Sequence, residues 1–226
     1  MVYGAVERGR FMARPNRFVA RVELGGREET VHVKNTGRCR ELLVPGAAVY
    51  LERGTAPGRK TPYDLIAVEK GDRLINMDAQ APNKVFREFV QAGGFLPGIT
   101  ALRPEFTWED SRFDFRLEDE HGPILVEVKG VTLEEDGVVR FPDAPTERGV
   151  KHLHGLTRAA AAGLRAAVVF VIQMEGVRYF CPNDDTHPAF GQALRAAAEG
   201  GVGVYAYDCA VTPGELVIRR GVEVRL

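Results

Sequence analysis

Asp114, Glu127 and Lys129 stand in one short stretch, SRFDFRLEDEHGPILVEVKG (Ser111 to Gly130), and their types and spacing suit divalent-metal chemistry. The stretch reads as a β-hairpin: Phe113, Phe115 and Leu117 alternate with Asp114, Arg116 and Glu118, and Ile124, Val126 and Val128 alternate with Leu125, Glu127 and Lys129. A turn centred on Glu120-His121 sets Phe115 opposite Val126 and Asp114 opposite Glu127, so the two apolar faces coincide. Two carboxylates facing each other across a strand pair have Cβ atoms about 5 Å apart and repel. A hard divalent cation, Mg²⁺ or Mn²⁺, held between Asp114 and Glu127 would offset that repulsion. Lys129 on the same face has three candidate roles: an ion pair, orientation or deprotonation of a water, and stabilisation of charge on a phosphoryl transition state. The plainer alternative is a solvated face with a cross-strand ion pair. Leu125 shares the face and argues that it is not fully solvated.

Other charged groups are placed to converge on this face or to remain on the surface. Glu147 and Lys151 are four apart on an expected helix, with Arg158 seven further along the same side. Glu88 lies on an earlier helix, where the apolar pattern leaves its direction open. His152 and His154, two apart on a helix, cannot share a ligand face, and His32, His121 and His187 are scattered, so neither a histidine metal site nor a Ser-His-Asp arrangement is expected. There is no GxGxxG after a strand and no GxxxxGK[ST], which removes support for nucleotide-binding loops.

The elements that must position these residues change character near Ala81. Before it come five expected short strands, FVARVEL, ETVHVK, AVYLER, YDLIAVEK and RLINMDA, the number needed for a small Greek-key barrel. Two Gly-broken loops carry Lys34, Arg38 and Arg40, and Arg53, Arg59 and Lys60, and Arg17 precedes the first strand. Arg17, Lys34, Arg38, Arg40, Arg59 and Lys60 are the candidates for gripping a nucleic-acid backbone. Of the aromatics available for base stacking, Phe11, Phe18, Tyr50 and Tyr63, the patterns around Phe18 and Tyr50 assign those two to the core. After Ala81 the sequence predicts a helix over 81–94, the hairpin, a third strand VVRF, and a helix over 145–164 with a stripe of Leu153, Leu156, Ala160 and Leu164. A fully buried strand RAAVVFVIQM, a helix over 187–199 and a second such strand, VGVYAYDCAV, form a βαβ unit, and ELVIRRGVEVRL reads as a final hairpin. The expected fold is therefore two-domain, an all-β barrel over 1–80 and an α/β domain with a mixed sheet over 81–226.

With 226 residues, 45% hydrophobic and 27% charged, the chain belongs to the ordinary globular class. Cys39, Cys181 and Cys209 are isolated, which speaks against a zinc site or disulfide framework and for a reducing cytoplasm. No apolar run is long enough to span a bilayer, and the N-terminal arginines precede no apolar export segment, so a cytoplasmic protein with no membrane partner is expected. The net charge of −1 conceals an uneven distribution: residues 1–60 hold twelve Lys or Arg against six Asp or Glu, and residues 81–226 hold sixteen against twenty-one. A phosphate-gripping part joined to a cation-holding part fits that distribution.

An Asp on one strand and Glu-x-Lys on the next resembles the PD-(D/E)xK nuclease core, with Phe113 in place of the Pro. The wider wording is more specific: RFVARVEL, NTGRCRELLVPGAAVYLE, RKTPYDLIAVE, PNKVF, SRFDFRLE, VEVKGVTL, FPDAPTERGVKHL and FVIQ, in that order, resemble the sugar fermentation stimulation protein A family along essentially the whole chain. A departure is Val33-Lys34 before Asn35, where family members often have Cys-Pro. The resemblance implies an N-terminal OB-fold, a C-terminal nuclease-like domain, a cytoplasmic location and DNA binding with little sequence preference. It places Asp114, Glu127 and Lys129 on the nuclease positions and Glu105, Thr146, Glu147 and Lys151 near them. The family name implies a link to regulation of sugar metabolism. The expected function is thus sequence-nonspecific DNA binding with Mg²⁺- or Mn²⁺-dependent phosphodiester hydrolysis. Single strands or RNA remain open as substrates and a homo-oligomer as the assembly; the alternative is a regulatory protein that binds DNA without cutting.

Overall fold

Strand β1 (Val6–Asn16), VERGRFMARPN, has no clean two-residue alternation because bulges interrupt its pairing after Phe11 and after Ala13. It nevertheless pairs antiparallel with both β2 (Val19–Leu24) and β4 (Ala48–Arg53). With β3 (Arg27–Val33) and β5 (Tyr63–Lys70) the sheet runs β3-β2-β1-β4-β5, and a parallel pairing of His32 with Asp64 and Val33 with Leu65 closes it into a five-stranded OB barrel. Val22, Val31, Leu51, Leu65 and Val68 fill its interior. The expected count of five strands holds, but its membership is corrected: β1 is one of the five, and β6 (Arg73–Asn76) extends the sheet outside the closure. The computed structural model describes residues 1–35 and 37–226; Thr36, within the expected basic loop, lies outside the described residues.

Helix α1 (Ala81–Gln91), begun by Pro82, leads into a second six-stranded sheet. Its first three strands are β7 (Ala101–Trp108), β8 (Ser111–Asp119) and β9 (Gly122–Val131). β10 (Leu133–Glu135) and β11 (Val138–Phe141) follow, then α2 (Glu147–Ala161), β12 (Arg165–Ile172), β13 (Tyr179–Pro182), α3 (Pro188–Glu199), β14 (Gly203–Thr212), β15 (Glu215–Gly221) and β16 (Glu223–Val224). The main sheet is mixed and ordered β15-β14-β12-β9-β8-β7, with β9, β12 and β14 parallel. VVRF, as β11, sits instead in a small sheet ordered β10-β11-β13-β16. The expected terminal hairpin is corrected: β15 pairs with β14, whereas β16 crosses to β13, because Val222 N–H donates to Ala206 O and turns the chain away.

Two apolar layers enclose the main sheet. Val85, Phe86 and Val90 of α1 cluster with Phe115, Leu117, Val126, Val128, Val169 and Val171, and Leu153 and Leu156 of α2 with Phe190 and Leu194 of α3 cluster with Leu125, Val168, Phe170 and Ile172. β12 is accordingly buried on both faces. The buried side of α2 comprises Gly149, His152, Leu153, Gly155, Leu156 and Ala159, so it is rotated from the expected stripe, and Ala160 and Leu164 are only half-buried. Buried hydrogen bonds join barrel to sheet: Gln173 Nε2 donates to Asn76 Oδ1 (2.9 Å) and Asp78 O (3.0 Å), and Asn76 Nδ2 donates to Tyr3 Oη (2.8 Å).

Candidate active site

The β8–β9 hairpin keeps the expected register from Asp119 opposite Gly122 to Phe115 opposite Val126. At Asp114 the ladder parts. The Val128 N–H donates to Asp114 Oδ2 (2.8 Å), a side-chain acceptor in place of a main-chain one. On the other flank Glu105 of β7, which the β7–β8 register would set against Asp114, adopts a positive φ of 54°. Phe113 consequently packs with α2, while Phe115, two residues on, packs with α1; the two do not share a face as the alternation predicts. This bend exposes one edge of the Asp114 carboxylate to α1, where Asn83 Nδ2 donates to Oδ1 (2.8 Å).

Glu127 lies on β9 under α2 and is almost fully buried, at 3% exposure. Its Oε1 accepts from Lys129 Nζ (2.6 Å) and contacts His152 Nδ1 of α2. Its Oε2 is one of four buried side-chain polar atoms with no partner among the described residues. Leaving a buried carboxylate oxygen unpaired costs about 1–3 kcal/mol or more, so this oxygen calls for a ligand. Helix α2 reaches the strand because residue 155 is glycine: a Cβ there would stand 2.8 Å from Ser111 Oγ and 3.0 Å from the Phe113 ring. His152 then packs edge-on against Phe113 at 6.1 Å.

The two carboxyls are driven apart in acidity. Burial, then the neighbouring Glu127 charge, raises Asp114 above its ordinary value, outweighing its hydrogen bonds from Val128 and Asn83. Burial also pushes Glu127 upward, but His152 and Lys129 together outweigh it and hold it below the ordinary value. Among the described residues no group of three or more His, Cys, Asp or Glu is placed to hold a metal ion. The donor set is therefore two hard carboxylates, one with an unpartnered oxygen, which fits one Mg²⁺ or Mn²⁺ whose remaining positions are filled by water and substrate.

Not every charged residue expected nearby joins this cluster. Glu147 is exposed and approaches His187 Nε2 (3.3 Å), and Lys151 pairs with Asp110 (3.2 Å), so they do not pair with each other. Arg158 binds Glu109 (2.9 Å) and Asp110 (2.6 Å). Glu105 is exposed, 4.0 Å from Arg112, and Thr146 caps α2 by accepting from Gly149 N–H (3.1 Å). Glu88 binds the N-terminal amine. His152 and Asn83 complete the cluster and were not anticipated. The signal for His152 was its place among Leu153, Leu156 and Ala159 on an apolar helix face, where an imidazole needs a partner.

On the barrel, Lys34 is enclosed by Asp78 (3.3 Å), Glu52 (3.4 Å) and Asp64 (3.6 Å), and Arg59 also binds Asp64. Arg17, Arg38, Arg40 and Lys60 are exposed and form no ion pair among the described residues. Arg17 lies 4.7 Å from the Phe18 ring centre, and Phe18 is 46% exposed, which corrects its assignment to the core; it sits at the tip of the β1–β2 turn, where alternation stops. Phe11 and Tyr63 are buried instead, and Tyr50 donates to Glu69 (2.7 Å). Arg14 ties this tip to the basic loop by donating to the carbonyls of Arg17, Asn35, Gly37 and Arg38. Among the described residues no helix is long and apolar enough to cross a membrane.

Comparison with known proteins bears on this architecture. The family model for the SfsA N-terminal OB domain matches residues 12–77, and that for the sugar fermentation stimulation protein RE domain matches residues 80–215. The sugar fermentation stimulation protein homolog of Desulfitobacterium hafniense is 55% identical over 226 residues, covering 100% of this chain and 99% of that protein. The homolog of Clostridium beijerinckii is 51% identical and covers both chains fully. The solved structure of Pyrococcus furiosus SfsA in complex with Ca²⁺ superposes with a TM-score of 0.92 at 30% identity, covering 100% of this chain and 98% of that one. The chain belongs to the sugar fermentation stimulation protein family.

Proposed function

We propose that this protein binds nucleic acid through its barrel and hydrolyses phosphodiester bonds at the bent hairpin with Mg²⁺ or Mn²⁺. The observation that carries the reading is the buried, unpartnered Oε2 of Glu127 beside Asp114 and Lys129. Asp114 and Glu127 would hold the cation, which when bound polarises a phosphoryl oxygen and acidifies water. Asn83 and the Val128 N–H fix the Asp114 carboxylate, and His152 fixes that of Glu127. Lys129, half-buried, places a positive charge where negative charge develops on the phosphoryl group. Arg17, Arg38, Arg40 and Lys60 supply sequence-independent contacts to phosphates, and Phe18 offers a face on which a base stacks. That the Pyrococcus furiosus relative was solved with Ca²⁺, another hard cation, supports a divalent site.

A second reading, DNA binding without cleavage in a regulatory role tied to sugar fermentation, is favoured by one contact: Lys129 is held against Glu127 at 2.6 Å. Plasmid and single-strand nicking in Mg²⁺ and in Mn²⁺ separates the two. Wild type nicks and Glu127→Ala and Lys129→Ala do not, while all three bind with an affinity that falls as salt rises. Equal background nicking by all three, with binding retained, overturns cleavage in favour of the second reading.

A further inference from the structure

His152 belongs to no expected ligand set, yet it is buried to 6% exposure and touches Glu127. Its two ring nitrogens face different partners. Arg148 Nε, which is always a donor, lies 3.4 Å from His152 Nε2, so Nε2 accepts and the ring proton sits on Nδ1, aimed at Glu127 Oε1. Oε1 thereby receives two donors, from His152 and Lys129, and Oε2 receives none. The asymmetry has a geometric origin: Lys129 is two residues along β9 from Glu127, whereas His152 approaches from α2, which Gly155 allows to pack close against Ser111 and Phe113.

We infer that His152 is a positioning residue for the metal site, which by donating Nδ1–H to Oε1 locks the Glu127 rotamer and reserves Oε2 for the cation. This rests on the reading above of Glu127 as a ligand. The imidazole touches neither substrate nor cation; it acts through the carboxylate, in the way that outer hydrogen bonds orient metal-binding side chains. Arg148 acts one step further out by donating to Nε2, consistent with the tautomer that the Glu127 carboxylate selects. Asn at position 152 carries an amide nitrogen at the place of Nδ1 and keeps the donor; Phe keeps the ring packing against Phe113 and loses it.

Mn²⁺ titrations of the full-length protein, followed by the electron paramagnetic resonance signal of free Mn²⁺, test this without any nuclease assay. His152→Phe weakens Mn²⁺ binding by about 10–100-fold, the usual effect of losing such a partner. His152→Asn restores affinity close to wild type, and in wild type nitrogen-resolved NMR of the imidazole finds the proton on Nδ1. The inference is overturned if His152→Phe binds Mn²⁺ as wild type does, if His152→Asn is as impaired as His152→Phe, or if the proton resides on Nε2. Glu127→Ala tells the two failures apart: unchanged binding there overturns the ligand assignment of Glu127 itself, whereas lost binding there with unaltered His152→Phe overturns only the role of His152.

Discussion

A lysine–carboxylate cluster in the barrel and another in the mixed sheet are finished differently. In the barrel, Lys34 and Arg59 stand among Glu52, Asp64 and Asp78, and no oxygen of these three is a buried atom without a partner. In the sheet, Lys129 and His152 both crowd onto Oε1 of Glu127 and leave Oε2 bare. A buried ionic network with all of its partners in place joins parts of a fold and asks for nothing more. One with a bare carboxylate oxygen bears a cost that only a ligand repays. The difference separates a structural cluster from a candidate site although both are made of the same residue types.

Glu127→Ala should give the largest effect, lowering metal-dependent nicking per folded molecule about 1000-fold, or about 4 kcal/mol at 1.4 kcal/mol per tenfold. Lys34→Met should act on the fold instead. It removes the cation shared by three carboxylates and destabilises the fold by about 3 kcal/mol in urea unfolding, while each folded molecule still nicks at a rate near wild type. Either variant behaving like the other would erase the distinction between the clusters.

Acidity sharpens the contrast, because Asp64 of the barrel and Asp114 of the sheet shift in opposite directions. Burial pushes Asp64 up, but Arg59, His32 and Lys34 together outweigh it and hold its carboxyl below the ordinary value, so its contribution is present above the unfolded value near 3.8 and disappears as pH falls through the lowered one. Asp114 is raised, first by burial and then by Glu127, so the fold gains stability as the pH falls through its raised value and is penalised above it. Asp114→Asn should therefore stabilise the protein near neutrality while weakening Mn²⁺ binding. Asp64→Asn should cost stability near neutrality, a cost that shrinks as thermal unfolding is repeated toward about pH 3.

Much of the site was readable in the chain. The alternation on both arms of SRFDFRLEDEHGPILVEVKG gives the register from Asp119 opposite Gly122 to Phe115 opposite Val126, and with it the hairpin that carries Asp114, Glu127 and Lys129. The bend at Asp114 was not readable, because it accompanies a positive φ at Glu105 of β7, which only the tertiary pairing brings beside it. β1 escaped for a related reason: three arginines, a proline and two bulges erase its alternation, and only its barrel neighbours make it a strand. His152 shares no ligand face with His154, so spacing alone gives it no part in a site. Its role depends on how closely α2 approaches β8, which Gly155 permits but which sequence spacing does not reveal. The basic loops were read by charge alone, and charge cannot tell Lys34, enclosed by acids, from Arg38 and Arg40, which face solvent.

The central claim is that the bare oxygen of Glu127 awaits a divalent cation. Crystals grown with Mn²⁺ and measured at a wavelength where manganese scatters anomalously test it directly. The account predicts one strong peak within about 2.0–2.6 Å of Glu127 Oε2 and of an Asp114 oxygen. A peak among Glu52, Asp64 and Asp78 instead, or none at the hairpin at saturating Mn²⁺, would contradict it.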